Sequence, residues 1–239
     1  MTRRRWIADE VSGGRASLVG EHADHLVRVL RARLGQQFDI ATGEAVRRGR
    51  IVSIGDGRVE FDLGEELSVT SAIQITLLLA IYKFDRMEWA IEKCTELGVA
   101  RIIPVIARRT DSHLAAASGK RAERWRRIAG QAAEQSRRAS VPEISEPRKL
   151  ADAMKGAAAL RIVLAESEDQ TLLRDIAKPE AASGGVALAV GPEGGWTEDE
   201  LQSFQRAGWI SASLGNTILR AETAAIAATA LVASTLDSH

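Results

Sequence analysis

The sequence predicts an α/β protein: a C-terminal, mainly parallel sheet covered by helices, preceded by a small β-rich domain. Three observations carry this. Residues up to about 70 read as short, partly alternating runs punctuated by Gly43, Gly55-Asp56-Gly57 and Gly64. From Ile73 the pattern changes to apolar strand-like runs alternating with helix-like runs, as in a parallel sheet. Ile73 to Tyr82 is nearly continuously apolar, as expected of a strand covered on both faces. The boundary is expected within Glu65 to Ala72, giving domains 1–70 and 73–239.

In the first domain, Glu21 to Arg33 reads as one helix closed by Gly35, and Gln37 to Ala41, Ala45 to Ile54 and Arg58 to Leu63 as strands. In the second, Asp85 is expected to cap a helix with Glu88 as its reciprocal partner, Phe84 and Trp89 forming a hydrophobic staple and Gly98 ending it. Arg101 to Ile106 is the next strand. A helix from about Lys120 to Arg138 buries Trp125, Ile128, Ala129 and Ala132. Its outer face carries Arg124, Arg127, Gln131, Gln135 and Arg138 at three- and four-residue spacing. A helix near Lys149 and strands Leu160 to Ala165 and Val186 to Val190 follow. Thr197 then caps a helix with Glu200, and Trp196 staples Leu201. Ile210 to Leu214 is a last strand, and Ala221 to Leu236 an alanine-rich closing helix.

With 239 residues, 45% hydrophobic and 27% charged, the chain has material for an ordinary soluble core. Its net charge is zero, which excludes a uniformly basic nucleic-acid binder; an RNA site has to come from local arginine clusters. These exist at Arg3-Arg4-Arg5, Arg28/Arg31/Arg33, Arg47-Arg48/Arg50, Arg108-Arg109, Arg121/Arg124/Arg126/Arg127 and Arg137-Arg138. Any one of them read alone is a solvated face; together they point to an anionic partner. The single Cys94 excludes an intramolecular disulfide and a cysteine zinc site, and its apolar helix face marks it as a buried thiol. No apolar run reaches the roughly eighteen residues that a membrane span needs. No signal peptide, metal, membrane or DNA partner is expected, and the compartment expected is the cytoplasm.

Two segments carry the chemistry. Gly191-Pro192-Glu193-Gly194-Gly195-Trp196-Thr197 follows a strand and opens a helix, so free N–H groups point into a loop that glycine lets close on a ligand. It is neither a Walker loop nor a dinucleotide fingerprint, and Glu193 suits a neutral or cationic ligand better than phosphate. A tight structural turn is the alternative. Leu214-Gly215-Asn216-Thr217-Ile218-Leu219-Arg220-Ala221-Glu222-Thr223-Ala224 offers backbone amides among apolar residues, which can sandwich a flat heterocycle and bond its edge. Arg220 and Glu222 are catalytic candidates or a structural ion pair. Two such loops at adjacent strand ends can build one pocket.

These segments resemble the RsmE family of SPOUT-superfamily methyltransferases. The likeness extends to His25-Leu26-Val27-Arg28-Val29-Leu30-Arg31, Lys83, Arg86-Met87-Glu88, Lys93, Glu96-Leu97-Gly98-Val99 and Ala132-Ala133-Glu134-Gln135-Ser136-Arg137. The resemblance implies S-adenosylmethionine-dependent methylation of N3 of a uridine in small-subunit (16S) ribosomal RNA, uridine 1498 in customary rRNA numbering. It implies a PUA-like N-terminal barrel, a C-terminal domain with a deep trefoil knot, and a homodimer; no periodicity argument would propose a knot. Carried over by position, the cofactor loops are Leu164-Ala165-Glu166, Gly191, Pro192, Glu193, Gly194 and Gly195, and Leu214, Gly215, Asn216, Ile218, Leu219 and Arg220. The family usually has Pro-Arg where this chain has Asn216-Thr217, so one guanidinium is absent. Glu222 as acceptor of the N3 proton, or Arg220 as stabiliser of the developing anion, are the catalytic expectations. Arg3, Arg28, Arg31, Arg108, Arg109, Arg124, Arg127 and Arg138 are expected to hold RNA phosphates. A SPOUT enzyme with another target atom and a non-catalytic RNA-binding assembly factor are the competing readings.

Overall fold

The structure is a computed structural model, and it describes residues 5–43, 45–67, 74–136, 138–156, 158–182 and 184–236. Arg3, Arg4, Arg137 and His239 therefore lie outside the described residues. The chain divides into two compact units, Met1–Ser71 with Ala133–Val141, and Ala72–Ala132 with Pro142–His239.

The first unit contains β1 (Arg5–Ile7), β2 (Glu10–Ser12), β3 (Arg15–Val19), α1 (Glu21–Asp24), β4 (Gln37–Ala41), β5 (Val46–Gly55) and β6 (Arg58–Leu67). Its sheet runs β1-β4-β5-β6-β3-β2, antiparallel except where β1 meets β4. Asp56 and Gly57 both take positive φ (48° and 67°) between β5 and β6, matching the right-handed twist of a tight hairpin. Alternate residues Phe38 and Ile40 of β4 and Val59 and Phe61 of β6 point into one core with Leu18 and Leu26. At Gly49 a Cβ would collide with Ile40, next to a register shift in the β5–β6 ladder, so the absent side chain lets the bulged strand close on the core.

One expectation fails here. Glu21 to Arg33 is not one helix: α1 runs into a π-helical turn, His25–Val29, and Arg31 then takes φ 53°. Leu26 and Ala32 both enter the core six residues apart, a spacing that a 3.6-residue period puts on different faces. The short strands β1 to β3 carry too few alternating apolar residues to announce themselves. β6 continues to Leu67, so the first residues of the expected boundary are strand; residues 68–73 lie outside the described residues.

The second unit contains β7 (Ile75–Ala80), α2 (Phe84–Glu96), β8 (Arg101–Ile106), α3 (Ser112–Ala117), most of α4 (Ala122–Gln135), β9 (Glu143–Ile144), β10 (Arg148–Lys149), α5 (Leu150–Ala153), β11 (Leu160–Leu164), α6 (Leu173–Ile176), β12 (Val186–Val190), α7 (Glu198–Arg206), β13 (Ile210–Ala212) and α8 (Ala221–Leu236). Its sheet runs β10-β8-β7-β12-β11-β13, with β9 also on β8, and every pairing is parallel. Leu77 and Leu79 face a core built with Met87, Ile91, Trp125, Ala225 and Val232, while Leu78 and Ala80 face Trp196, Phe204 and Trp209. The continuous apolar run of β7 is thus explained by cover on both faces.

The helix starts divide. Thr197 and Glu200 form the expected capping box: the Glu200 amide donates to Thr197 Oγ1 and the Thr197 amide to Glu200 Oε2, and Trp196 and Leu201 join one apolar cluster. Asp85 does not cap α2. The helix begins two residues earlier than expected, at Phe84, with Lys83 at the cap and Asp85 inside the first turn. Glu88 instead accepts from Arg124 Nε at 2.8 Å, Phe84 packs edge-on against Trp125, and Trp89 is 49% exposed. Lys149 is in β10, and the short α5 follows it. Among the described residues no helix is long and apolar enough to cross a membrane.

Candidate active site

A cavity of about 790 Å³ opens at the carboxyl ends of β11, β12 and β13. That is within the roughly 300–1,000 Å³ of small-molecule sites, and carboxyl strand ends are where open α/β sheets bind ligands. Three loops wall it: Leu164 to Asp169 after β11, Val190 to Trp196 after β12, and Ala212 to Ala221 around and after β13. Every residue expected in a cofactor loop lines this one cavity. Arg86, Arg109, Leu201 and Ala224 complete the wall.

The glycine-rich loop is held from three sides. Gly195, at φ 70°, donates its amide to the Pro192 carbonyl (2.8 Å), closing a turn that other residues would strain. A Cβ on Gly191 would stand 3.2 Å from the Trp196 indole nitrogen, so that ring can cover the loop only over glycine. Arg109 Nη1 donates to the carbonyls of Gly194 (2.5 Å) and Trp196 (3.3 Å). Arg86 Nη1 donates to Glu193 Oε1 at 2.7 Å. The buried Glu200 carboxylate also accepts the Arg108 amide at 2.8 Å.

In the first loop, Glu168 accepts the amides of Thr171 (2.8 Å) and Gln170 (2.9 Å), which holds its carboxyl below the usual range. Glu166 and Asp169 are exposed on the same wall. In the third loop the amides of residues 215–219 have no hydrogen-bond partner among the described residues. They flank half-buried Leu214 and Leu219, a setting that can bond the edge of a planar ring and cover its faces. Asn216 and Thr217 are exposed there, and Ile218 is 80% exposed.

Arg220 is exposed on the cavity wall, and its guanidinium has no ion pair among the described residues. Glu222 does not line the cavity. It is 4% exposed in the first turn of α8, its Oε2 has no hydrogen-bond partner, and its Oε1 faces Arg86 Nε at 3.8 Å. Behind it lie Tyr82, whose buried hydroxyl is also without a partner, and Cys94. Burial raises the Tyr82 pKa and pushes the Cys94 thiol up to about 12, although the thiol accepts a 3.5 Å hydrogen bond from Thr229 Oγ1.

The arginines expected on RNA are unequal. Arg31, Arg108 and Arg127 are exposed; Arg28 is exposed and 3.4 Å from Asp24. Arg124 is exposed and bonded to Glu88, and Arg109 is committed to the glycine-rich loop. Arg138 lies beyond the end of α4, half-buried, and burial lowers its pKa. The first unit also brings His22 between Asp9 (2.9 Å) and Glu134 (2.8 Å), and sets His25 edge-on to Trp6. Among the described residues no group of three or more His, Cys, Asp or Glu side chains is placed to hold a metal ion. Sequence reasoning missed Arg86 as a cavity residue, because what makes it so is contact with a loop 107 positions away; the bonds of Arg109 to the Gly194 and Trp196 carbonyls, 85 and 87 positions away, were not foreseen for the same reason.

A parallel sheet with a loop-walled crevice at its carboxyl edge, free backbone amides and one unpaired arginine is the arrangement of an α/β domain that binds a small ligand at its strand ends. Residues 69–233 match the family described as RNA methyltransferase domain, and the chain belongs to this family of methyltransferases. It is 33% identical over 230 residues to ribosomal RNA small subunit methyltransferase E of Rickettsia conorii, covering 93% of this chain and 90% of that protein. The crystal structure of ribosomal RNA small subunit methyltransferase E from Neisseria gonorrhoeae, bound to S-adenosyl methionine, superposes with a TM-score of 0.80 at 32% identity, covering 95% of each chain. A methyltransferase from Legionella pneumophila in complex with the cofactor SAM gives 0.78 at 30% identity, covering 98% of this chain and 97% of that one.

Proposed function

We propose that this protein transfers a methyl group from S-adenosylmethionine to N3 of one uridine in small-subunit ribosomal RNA. The observation that carries the reading is the convergence of three loops, distant in sequence, on one cavity at the strand ends, in a chain that matches rRNA methyltransferases over nearly its whole length. The cavity fits the cofactor: its volume suits a nucleoside-sized ligand, the unpartnered amides of 215–219 suit the edge of adenine, and exposed Glu166 and Asp169 suit hydroxyls and positive charge. S-adenosylmethionine supplies an electrophilic methyl group on a sulfonium.

The protein's own part is positioning and electrostatics. Holding the two reactants in line is worth up to about 7–11 kcal/mol of the barrier. The N3 proton leaves to water at the open mouth of the cavity, and the nitrogen lone pair forms the new N–C bond as the S–C bond breaks. Arg220, exposed and unpaired on the wall, donates to the uracil oxygen on which negative charge develops. Glu222 is a poorer proton acceptor, because it is buried behind the wall. Exposed Arg28, Arg31, Arg108, Arg124 and Arg127 attract RNA phosphates.

The knot and the PUA-like barrel belong to the same proposal. So do the division of labour between 1–70 on RNA and 73–239 on cofactor, the homodimer and the cytoplasmic setting. The half-buried residues Ala227 and Ala230 of α8 support a close helix contact between two copies. Single-turnover methylation of a small-subunit rRNA fragment by Arg220→Ala and Glu222→Gln variants tests the assignment. Loss in the first and a lesser effect in the second is expected; full rates in both would remove Arg220 and Glu222 from the chemistry.

A further inference from the structure

We infer that Arg86 is a positioning residue: its guanidinium clamps the glycine-rich cofactor loop to the start of α8 by bridging Glu193 and Glu222. The inference rests on the cofactor reading of the cavity.

Two geometric facts carry it. Arg86 Nη1 is 2.7 Å from Glu193 Oε1, in the loop after β12, and Arg86 Nε is 3.8 Å from Glu222 Oε1, in the first turn of α8. The two carboxylates differ sharply in setting. Glu193 is 40% exposed at the cavity, while the Glu222 side chain is 5% exposed and has one oxygen wholly without a hydrogen-bond partner. A buried carboxylate needs a counter-charge, and removing its only partner leaves a large penalty. Arg86 is the one cation at ion-pair distance from Glu222 among the described residues, and the start of α8 adds its positive helix end. Glu222 in turn keeps the guanidinium facing the cavity.

The second arm of the guanidinium then reaches Glu193. The loop is latched by Arg109 through the carbonyls of Gly194 and Trp196; among the described residues Arg86 supplies the only side-chain anchor from the α2 side. The planar fork matters, because it meets two carboxylates at once from fixed directions, whereas a lysine ammonium is a single point on a flexible stem. A part-buried pair that looks like a stability device is therefore also a device that fixes the glycine-rich wall of the cavity relative to Arg220, two residues before Glu222.

The test separates anchoring from charge compensation. Arg86→Lys keeps a cation for Glu222 but loses the fork; Arg86→Met with Glu222→Gln removes the buried carboxylate charge together with its part-exposed partner, a change that is often neutral for stability. The readouts, on the full chain, are thermal midpoint, S-adenosylmethionine affinity by calorimetry, and KM against kcat with rRNA. Both variants are expected to melt near the parent and to bind S-adenosylmethionine about tenfold more weakly, a loss of about 1.4 kcal/mol. For Arg86→Lys, which leaves Glu222 in place, the KM for that cofactor should rise, with kcat at saturation little changed. Parental cofactor affinity in either well-folded variant overturns the inference and leaves Arg86 as a counter-charge only. If both variants melt early, Glu193→Gln read alone and combined with Arg86→Lys decides: losses of cofactor affinity that add overturn the clamp, and a double variant no weaker than the singles upholds it. A parent protein that binds no S-adenosylmethionine overturns the cofactor reading itself, and the clamp with it.

Discussion

At the scale of the residue, Arg220 and Glu222 illustrate how two neighbours acquire different work. They are two positions apart, yet one is exposed on the cavity wall and the other is 4% exposed and turned to Arg86. The structural ion pair between them that the sequence allowed is not formed. Losing a donor aimed at developing negative charge typically costs on the order of 10²–10³ in kcat, so Arg220→Ala should fall by about that factor in single-turnover assays, with cofactor affinity nearly kept. Cys94 gives an independent check on the core. Burial holds its pKa near 12, so almost no thiolate exists at pH 8 in the folded protein. Native protein should resist thiol reagents at pH 8 and react once denatured; rapid native labelling would contradict the packing described around Thr229 and Tyr82.

At the scale of the element, local rules hold where a few adjacent residues settle the geometry. The Thr197–Glu200 capping box satisfies donors within four residues, so it was legible in the sequence, as was Trp196 packing with Leu201. Thr197→Ala should cost about 1 kcal/mol, read as a lower urea midpoint at unchanged m-value. The start of α2 was misread for the opposite reason. Asp85 and Glu88 have the right spacing for a box, but Glu88 is drawn to Arg121 and Arg124, 33 and 36 positions away. The π-helical turn at His25–Val29 was likewise beyond a periodicity argument, since two core contacts override the regular winding. On the exposed stripe, Arg127→Ala should weaken RNA binding and lower the salt slope by about one phosphate contact. An unchanged slope would assign that arginine to plain solvent.

At the scale of the whole molecule, the parallel sheet was legible from alternation, the loops after β12 and β13 from their own glycines and apolar residues, and the loop after β11 only from family resemblance. Neither the strand order β10-β8-β7-β12-β11-β13 nor the enlistment of Arg86 and Arg109 was, because both depend on contacts between segments far apart in sequence. The homodimer belongs to this scale: sedimentation of the full chain should give twice the 25.8 kDa chain mass, and a monomer at assay concentration would remove α8 as an interface. The central claim is the reaction itself. Its most direct test is digestion and mass spectrometry of small-subunit rRNA from cells lacking this protein, with and without its return. The account predicts loss and recovery of a single 3-methyluridine. An intact 3-methyluridine signal in the cells lacking the protein would contradict it, whether or not another methyl mark had gone.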